Sequence, residues 1–342
     1  MAPTRERTMT DEVRLRDVAE AAGVSIATAS RALTGRNRVS ASTTAHVTAV
    51  ARRLGYQVNS VGRALREGST RTVGMTVPVI GNPYFAQLVD AVEGALVEPG
   101  LELLIADSHG DVDHEARRLR TLVGRQIDGL VVVPADVERS APALRAARRH
   151  APVVQLDRRV EGLTTDFVGV DNALGMRVVV DHLVDRGARS VVLVGADDVT
   201  SAGVERREGF EAAVARTGLE VHAPLLDDFS LEAGQRAAEE LVARGPLPDA
   251  VVAADDLLAV GVVTTLRRLG VDVPGRVLVT GFDGTVIAGI TEPALTTVVQ
   301  PFAALAQEVT RTLLARIADG AAPTRQSRIS PELLVRASTT RP

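Results

Sequence analysis

From Arg71 onward the chain repeats one pattern, a short apolar run followed by a longer amphipathic stretch. Thr72–Val77, Leu101–Ala106, Gly129–Val133, Val153–Leu156, Phe167–Val170, Ser190–Val194, Ala250–Ala253 and Val277–Thr280 are rich in valine and leucine, and they read as strands. Segments of helix length lie between many of them: Gln87–Glu98, Glu115–Arg125, Ala173–Arg186, Arg206–Thr217, Leu231–Arg244 and Leu257–Leu269. Strand–helix alternation predicts parallel sheets flanked by helices. Some 270 residues of it suit two lobes, with ligands held beyond the carboxyl ends of the strands. The expected fold is therefore α/β. PELLVRASTTRP supplies a closing strand and a short tail.

The first 70 residues follow another rule. Leu15–Ala22 is a short amphipathic run that meets Gly23, and a second run, Ser25–Leu33, begins at once. So tight a turn leaves room only for two steeply crossing helices, the helix-turn-helix arrangement. Val18, Ala19, Ala22, Val24, Ala29 and Leu33 supply the small apolar residues buried at the crossing. Ser25 caps the second helix near Thr28, and Ile26, Ala27 and Arg31 point outward. Ile26 and Ala27 offer apolar contact suited to a thymine methyl, whereas Arg31 suits guanine or phosphate. Ser30 and Arg14 are placed to hold phosphate oxygens. A third helix runs from Ser40 to a left-handed stop at Gly55. The segment Asn59–Gly68 makes barely two helical turns, too few to stand alone in water. Val61 and Leu65 share a face there, so that one pairs with a symmetry mate while the other wedges a base step.

Charge separates the same regions. Residues 1–72 carry 12 arginines against 6 acids, and the remainder carries 27 against 37. A basic head on an acidic body predicts that the head meets a polyanion. The chain has no cysteine, which excludes disulfides and thiolate metal sites. There is no apolar run long enough to span a bilayer, and MAPTRERTMTDE lacks the apolar core of a secretion signal, so a cytoplasmic protein without a membrane partner is expected. No Walker loop, no GxGxxG after a strand and no HExxH is present, and no cofactor is expected.

Polar residues gather at the predicted strand ends. Asn82-Pro-Tyr84-Phe85 follows the first strand and Asp107 the second, and Asp157-Arg158 ends PVVQLDR. Arg206 opens a helix, Phe229 lies in a loop, Asp255-Asp256 follows VVAA, Asp283 follows TGF, and Gln300 follows LTTVV. Carboxylates, guanidiniums and aromatic rings together match a sugar's hydroxyls and its C–H faces.

These motifs resemble the lactose-repressor/galactose-repressor (LacI/GalR) family. DVAEAAGVS at 17–25, TASRAL at 28–33, VSASTTAHV at 39–47, LGYQVN at 54–59 and Leu65 match its DNA-binding head and hinge. PVVQLDR, VGVDNALG, ERREGF, AADDLLAVG, GFDG and LTTVVQP match its body, which resembles a periplasmic sugar-binding protein, so the resemblance covers about residues 13–340. It implies a helix-turn-helix domain at 13–58, a hinge helix and linker at 59–70, and an effector and dimerisation domain at 71–340. Lobe 1 would hold about 71–170 and 300–329, and lobe 2 about 171–299 and 330–340. It also implies DNA contacts from Arg14, Ser25, Ile26, Ala27, Thr28, Ser30, Arg31, Tyr56, Asn59, Val61 and Leu65. Phe85 and Phe229 would clasp the effector, with Asn82, Tyr84, Asp107, Asp157, Arg158, Arg206, Asp255, Asp283 and Gln300 around it.

Four departures from the family pattern matter. Thr44 stands where arginine is usual, which removes a phosphate contact, and Gly62 replaces the usual alanine, which makes the hinge harder to order. Asp255 replaces asparagine, exchanging an amide for an acceptor and favouring a ligand rich in donors. Thr200 and Ala202 occupy positions where purine-responsive members carry ligand contacts.

The expectation is a homodimeric repressor that binds a palindromic double-stranded operator and responds to a mono- or disaccharide. A nucleoside effector, a sugar-binding transport protein, and a carbohydrate enzyme using Asp255 and Asp283 are the competing readings. No trailing leucine heptad is present, so a tetramer built on one is not expected.

Overall fold

The computed structural model describes residues 13–33, 39–56 and 68–340, and contacts divide the chain after Thr70. In the N-terminal unit, α1 (Leu15–Ala21), α2 (Ile26–Leu33) and α3 (Ala41–Leu54) pack pairwise. Ser40 caps α3 by accepting from the Thr43 N–H at 3.2 Å, and Gly55 closes it at φ 70°. The core is small: Val18, Ala19, Ala22, Ala29, Ala32, Val47, Val50 and Ala51, with Leu33, Leu54 and Tyr56 half-buried around them. Alanines at the crossing let the helix backbones approach closely enough to shape a turn with few side-chain atoms.

The body holds two sheets. The first has the order β12-β5-β4-β3-β1-β2 and is parallel throughout: β1 (Thr72–Val77), β2 (Glu102–Asp107), β3 (Gly129–Val132), β4 (Val153–Leu156), β5 (Asp166–Val170) and β12 (Gln326–Ile329). It carries α4 (Pro83–Val97), α5 (Val112–Gly124), α6 (Ala141–Ala147) and α12 (Phe302–Ala318). The second has the order β13-β11-β10-β9-β6-β7, with β8 beside β6. Its strands are β6 (Ser190–Ala196), β7 (Glu220–Val221), β8 (Leu225–Asp227), β9 (Ala250–Ala253), β10 (Leu278–Asp283), β11 (Thr296–Val299) and an antiparallel β13 (Glu332–Leu334). The helices are α7 (Asn172–Asp185), α8 (Ser201–Val214), α9 (Leu231–Arg244), α10 (Asp256–Arg268) and α11 (Val286–Ile290). Central strands are buried along their whole length, as parallel sheets covered on both faces require.

The chain passes between lobes three times: from β5 into α7, from β11 into α12, and from β12 into β13. In the second lobe α9 and α10 pack at backbone distance. A methyl group on Gly234 would collide with the Leu258 carbonyl oxygen, and one on Gly261 with the Leu231 carbonyl oxygen. Neither main-chain oxygen can swing aside as a side chain would. Gly261→Ala therefore costs about 1–3 kcal/mol of stability, measurable as a lowered midpoint in urea unfolding.

Candidate functional site

Helix starts bring much of the body site together. Asn82 caps α4, its Oδ1 accepting from the Tyr84 N–H at 2.9 Å. Tyr84 and Phe85 consequently stand on the first turn of a helix that begins before the Gln87 start expected from the sequence. Thr200 caps α8 through the Gly203 N–H at 3.1 Å. The helix starts at Ser201, so Arg206 lies in its second turn instead of opening it, and Ala202 lines the site from its first. Asp255 caps α10 by accepting from the Leu258 N–H at 2.7 Å. Asp157 and Asp283 stand at the ends of β4 and β10 with φ of 65° and 106°, backbone conformations that non-glycine residues adopt at a cost of order 1–3 kcal/mol.

One cleft lined from both lobes results: Asn82, Tyr84, Phe85, Asp157 and Arg158 on the first side, and Ala202, Arg206, Phe229, Asp255 and Asp283 on the second. Gln300 reaches behind it at the β11–α12 crossing. The Tyr84 hydroxyl donates to Asp157 at 2.7 Å and lies 3.2 Å from Gln300 Oε1. Gln300 Nε2 donates to Asp283 at 2.7 Å. Arg206 donates from Nε to Asn172 Oδ1 at 3.0 Å, from Nη1 to the Ala254 carbonyl at 2.6 Å and from Nη2 to Asp283 at 3.0 Å. Its guanidinium carbon sits 3.8 Å from the centroid of the Phe282 ring. Arg158 lies between Phe85 and Phe229, 5.3 and 5.9 Å from their centroids, with Nε 3.6 Å from Asp157. That Nε is buried without a hydrogen-bond partner. The space left among these groups is about 20 Å³, room for a water-sized guest.

Three carboxyl groups face two guanidiniums here, so charge neutrality calls for one retained proton. Burial, reinforced by Asp256, pushes Asp255 up to about 7. Burial also raises Asp283 and outweighs the opposing pull of Arg206. Burial lowers Arg158; for Arg206 the burial penalty is exceeded by Asp283 and Asp157, which hold it above the ordinary arginine value. Tyr84 is raised by burial and by the adjacent Asp157, and it serves as a hydroxyl donor.

The folded chain retains a proton on Asp255 that the unfolded chain releases at lower pH, so this residue's contribution to stability falls as pH rises from about 4 to about 7. Asp255→Asn flattens that dependence, and its melting temperature gains on wild type as pH rises across the same window. Parallel slopes for both proteins would contradict the assignment.

Asp107 does not join the cleft. It accepts from the Ile80 N–H at 3.1 Å and the His109 N–H at 2.7 Å, and so organises its own loop at the end of β2. Asp256 turns away into the second lobe, held by Thr285 and Thr297. Asn172, which locks Arg206, was not singled out in the sequence, because an Asp-Asn pair at a helix start reads as a cap.

In the head, Ser25 Oγ accepts from the Thr28 N–H at 3.1 Å and shares a 2.8 Å hydrogen bond with its hydroxyl. Ile26 is 51% exposed and Ala27 is exposed beside it. Arg31 is exposed and its Nε donates to the Ala27 carbonyl at 3.1 Å, one turn back along α2. Arg14 precedes α1 and donates its N–H to Asp17 at 2.8 Å. Ser30 and Tyr56 are half-buried. Asn59, Val61 and Leu65, together with Gly62, lie outside the described residues.

Residues 14–59 match the family described as bacterial regulatory proteins, lacI family, and residues 180–339 match the periplasmic binding protein-like domain. The HTH-type transcriptional repressor PurR of Photobacterium profundum is 30% identical over 326 residues, covering 95% of this chain and 98% of its own. The ribose operon repressor of Escherichia coli is 30% identical over 327 residues, covering 95% and 99%. Among solved structures, the lac repressor dimer bound to operator and the anti-inducer ONPF superposes with a TM-score of 0.85 at 26% identity, covering 96% and 99%. The complex of the transcriptional regulator CelR with cellobiose gives 0.73 at 29% identity, covering 95% and 99%.

Proposed function

Because the chain belongs to the lacI family of bacterial regulatory proteins, we propose that it is a homodimeric repressor acting in the cytoplasm, with operator affinity set by a sugar held between its lobes. It is a DNA-binding transcriptional regulator with a small-molecule effector, not an enzyme. Among the described residues no helix is long and apolar enough to cross a membrane.

The observation that carries the sugar reading is Arg158. A half-buried guanidinium close to two phenylalanine rings, its Nε near Asp157 but without a hydrogen bond, has donor capacity to offer a ligand oxygen. Asp157, Asp255, Asp283 and Arg206 line the same cleft and offer the acceptors and donors that the hydroxyls of a pyranose or furanose ring require. The cleft is too narrow for such a ring as it stands, so entry requires the lobes to part. An effector then shifts operator affinity by its differential affinity for the two lobe arrangements, commonly about 1–3 kcal/mol.

The repressor PurR and the ribose operon repressor are each 30% identical to this chain, and a nucleoside is the second reading. Ala202 lines the cleft with no polar group to address a base, which favours the sugar. The test is fluorescence anisotropy on a palindromic operator taken from the chain's own promoter, with a panel of pentoses, hexoses, disaccharides and nucleosides. A change in affinity with one sugar and none with nucleosides supports the proposal. A response to nucleosides alone replaces the effector, and absence of specific DNA binding removes the proposed regulatory mechanism.

The head makes a separate prediction. Ile26 and Ala27 can address only apolar base edges, which leaves Arg31 as the charged reader on α2. Arg31→Ala weakens specific binding by about 1–3 kcal/mol and relaxes preference at one base pair per half-site, as read by competition with point-substituted operators.

A further inference from the structure

Glu205 is the neighbour of Arg206 on α8, yet it faces the flank of the body and not the cleft. Both its oxygens accept from Arg328 of β12 at 2.8 Å, and its Oε1 lies 3.2 Å from Arg159 in the loop after β4. Arg159 and Arg328 belong to the first lobe and Glu205 to the second. Both arginines also lie over the Phe167 ring, at 5.9 and 5.7 Å, which orients their forks. Asn172, where the chain first crosses between lobes, donates from Nδ2 to Glu205 at 2.9 Å and accepts from Arg206 Nε on its other face. One amide thus joins the inter-lobe ion cluster to a side chain in the cleft.

We infer that Glu205 is a positioning residue that fixes the angle between the lobes and, through Asn172, ties that angle to the placement of Arg206. The Glu205 carboxylate is 15% exposed, so solvent screens it less than the open surface pairs. Its neighbours fill both oxygens. Burial disfavours its charge, but the hydrogen bonds from Arg328 and Asn172 prevail and keep it ionised below the ordinary glutamate range, so the cluster persists throughout the neutral pH range. When the lobes part, Glu205 loses both first-lobe arginines, and its freed carboxylate re-orients the shared Asn172 amide that holds Arg206. Conversely, a ligand that draws Arg206 into the cleft pulls on Asn172 and the cluster behind it. The inference rests on reading Arg206 as an effector contact, but its test requires no effector.

The absence of cysteine allows site-specific spin labelling without background. Labels are placed through Arg120→Cys on α5 and Ala243→Cys on α9, both exposed and on opposite lobes. Their separation is measured in the full chain by pulsed electron double resonance, without DNA or sugar. Glu205→Ala is expected to shift the main distance by more than the width of the wild-type distribution, and Glu205→Gln to shift it less. Arg216→Ala, which removes an exposed pair with Asp181 inside the second lobe, leaves it unchanged. A role confined to stability would lower the melting temperature and leave the distance in the folded chain as it was; that result overturns the inference. Should Glu205→Ala fail to fold, Arg328→Gln breaks the cluster from its more exposed side and is judged by the same shift.

Discussion

Arg206→Ala is expected to abolish the effector response while operator binding without effector persists. The wild-type guanidinium makes three hydrogen bonds inside the cleft, one of them to Asp283, and is buried to 3% exposure. Removing one member of a buried charge pair typically costs about 2–5 kcal/mol in affinity, which corresponds to a loss of about 30- to several-thousand-fold. Titration calorimetry with the effector identified by the anisotropy screen measures the loss directly. The head shares no residue with this cleft, so half-saturation on operator should move little. A variant that still responds to effector as wild type does would remove Arg206 from the contacts. Loss of both activities, with no cooperative thermal transition, would mean that Asp283 cannot be left buried without its partner.

The second large effect lies directly beneath. Phe282 is fully buried, with Arg206 stacked on one part of its ring and Gly175 pressed against another; a methyl group at Gly175 would strike the ring edge. Phe282→Ala deletes the support under the guanidinium and opens a cavity between β10 and α7. The expected cost is about 3–5 kcal/mol, a fall in melting temperature on the order of 10 °C. Phe282→Leu, which refills most of the volume but offers no aromatic face, should recover much of the stability. If the ring also orients Arg206, effector affinity stays depressed in that variant. A double-mutant cycle between Phe282→Leu and Arg206→Ala separates the two contributions.

The parallel strands were legible because burial on both faces leaves an uninterrupted apolar signature, as in Val153–Leu156 and Ala250–Ala253, where expectation and structure coincide. The short edge strands of the second sheet carry no such signature: β7 has two residues, both exposed, and β8 has three. Helix starts were placed late at α4 and α8 for one reason. The residues of the first turn are capping or cleft-facing groups, so the apolar periodicity that reveals a helix begins a turn further on. The strand-end rule located the carboxylates, and it also admitted Asp107, whose oxygens are consumed by its own loop. Nothing local marks Asn172 or Glu205. Their partners lie 33 to 123 positions away in the chain, and only the folded arrangement of two sheets brings them together.

The three passages between the lobes also limit how the body can respond. Two links alone would define an axis and leave sliding along it cheap. A third, formed where β12 in one sheet gives way to β13 in the other across Ser330 and Pro331, suppresses the sliding and leaves rotation as the soft motion. The effector therefore has essentially one mechanical coordinate to act on. Substitutions near the passages, at Asp171, Gln300 or Ser330, should displace the resting value of that coordinate and so change basal repression, whereas those deep in the cleft should change how far a given effector can drive it.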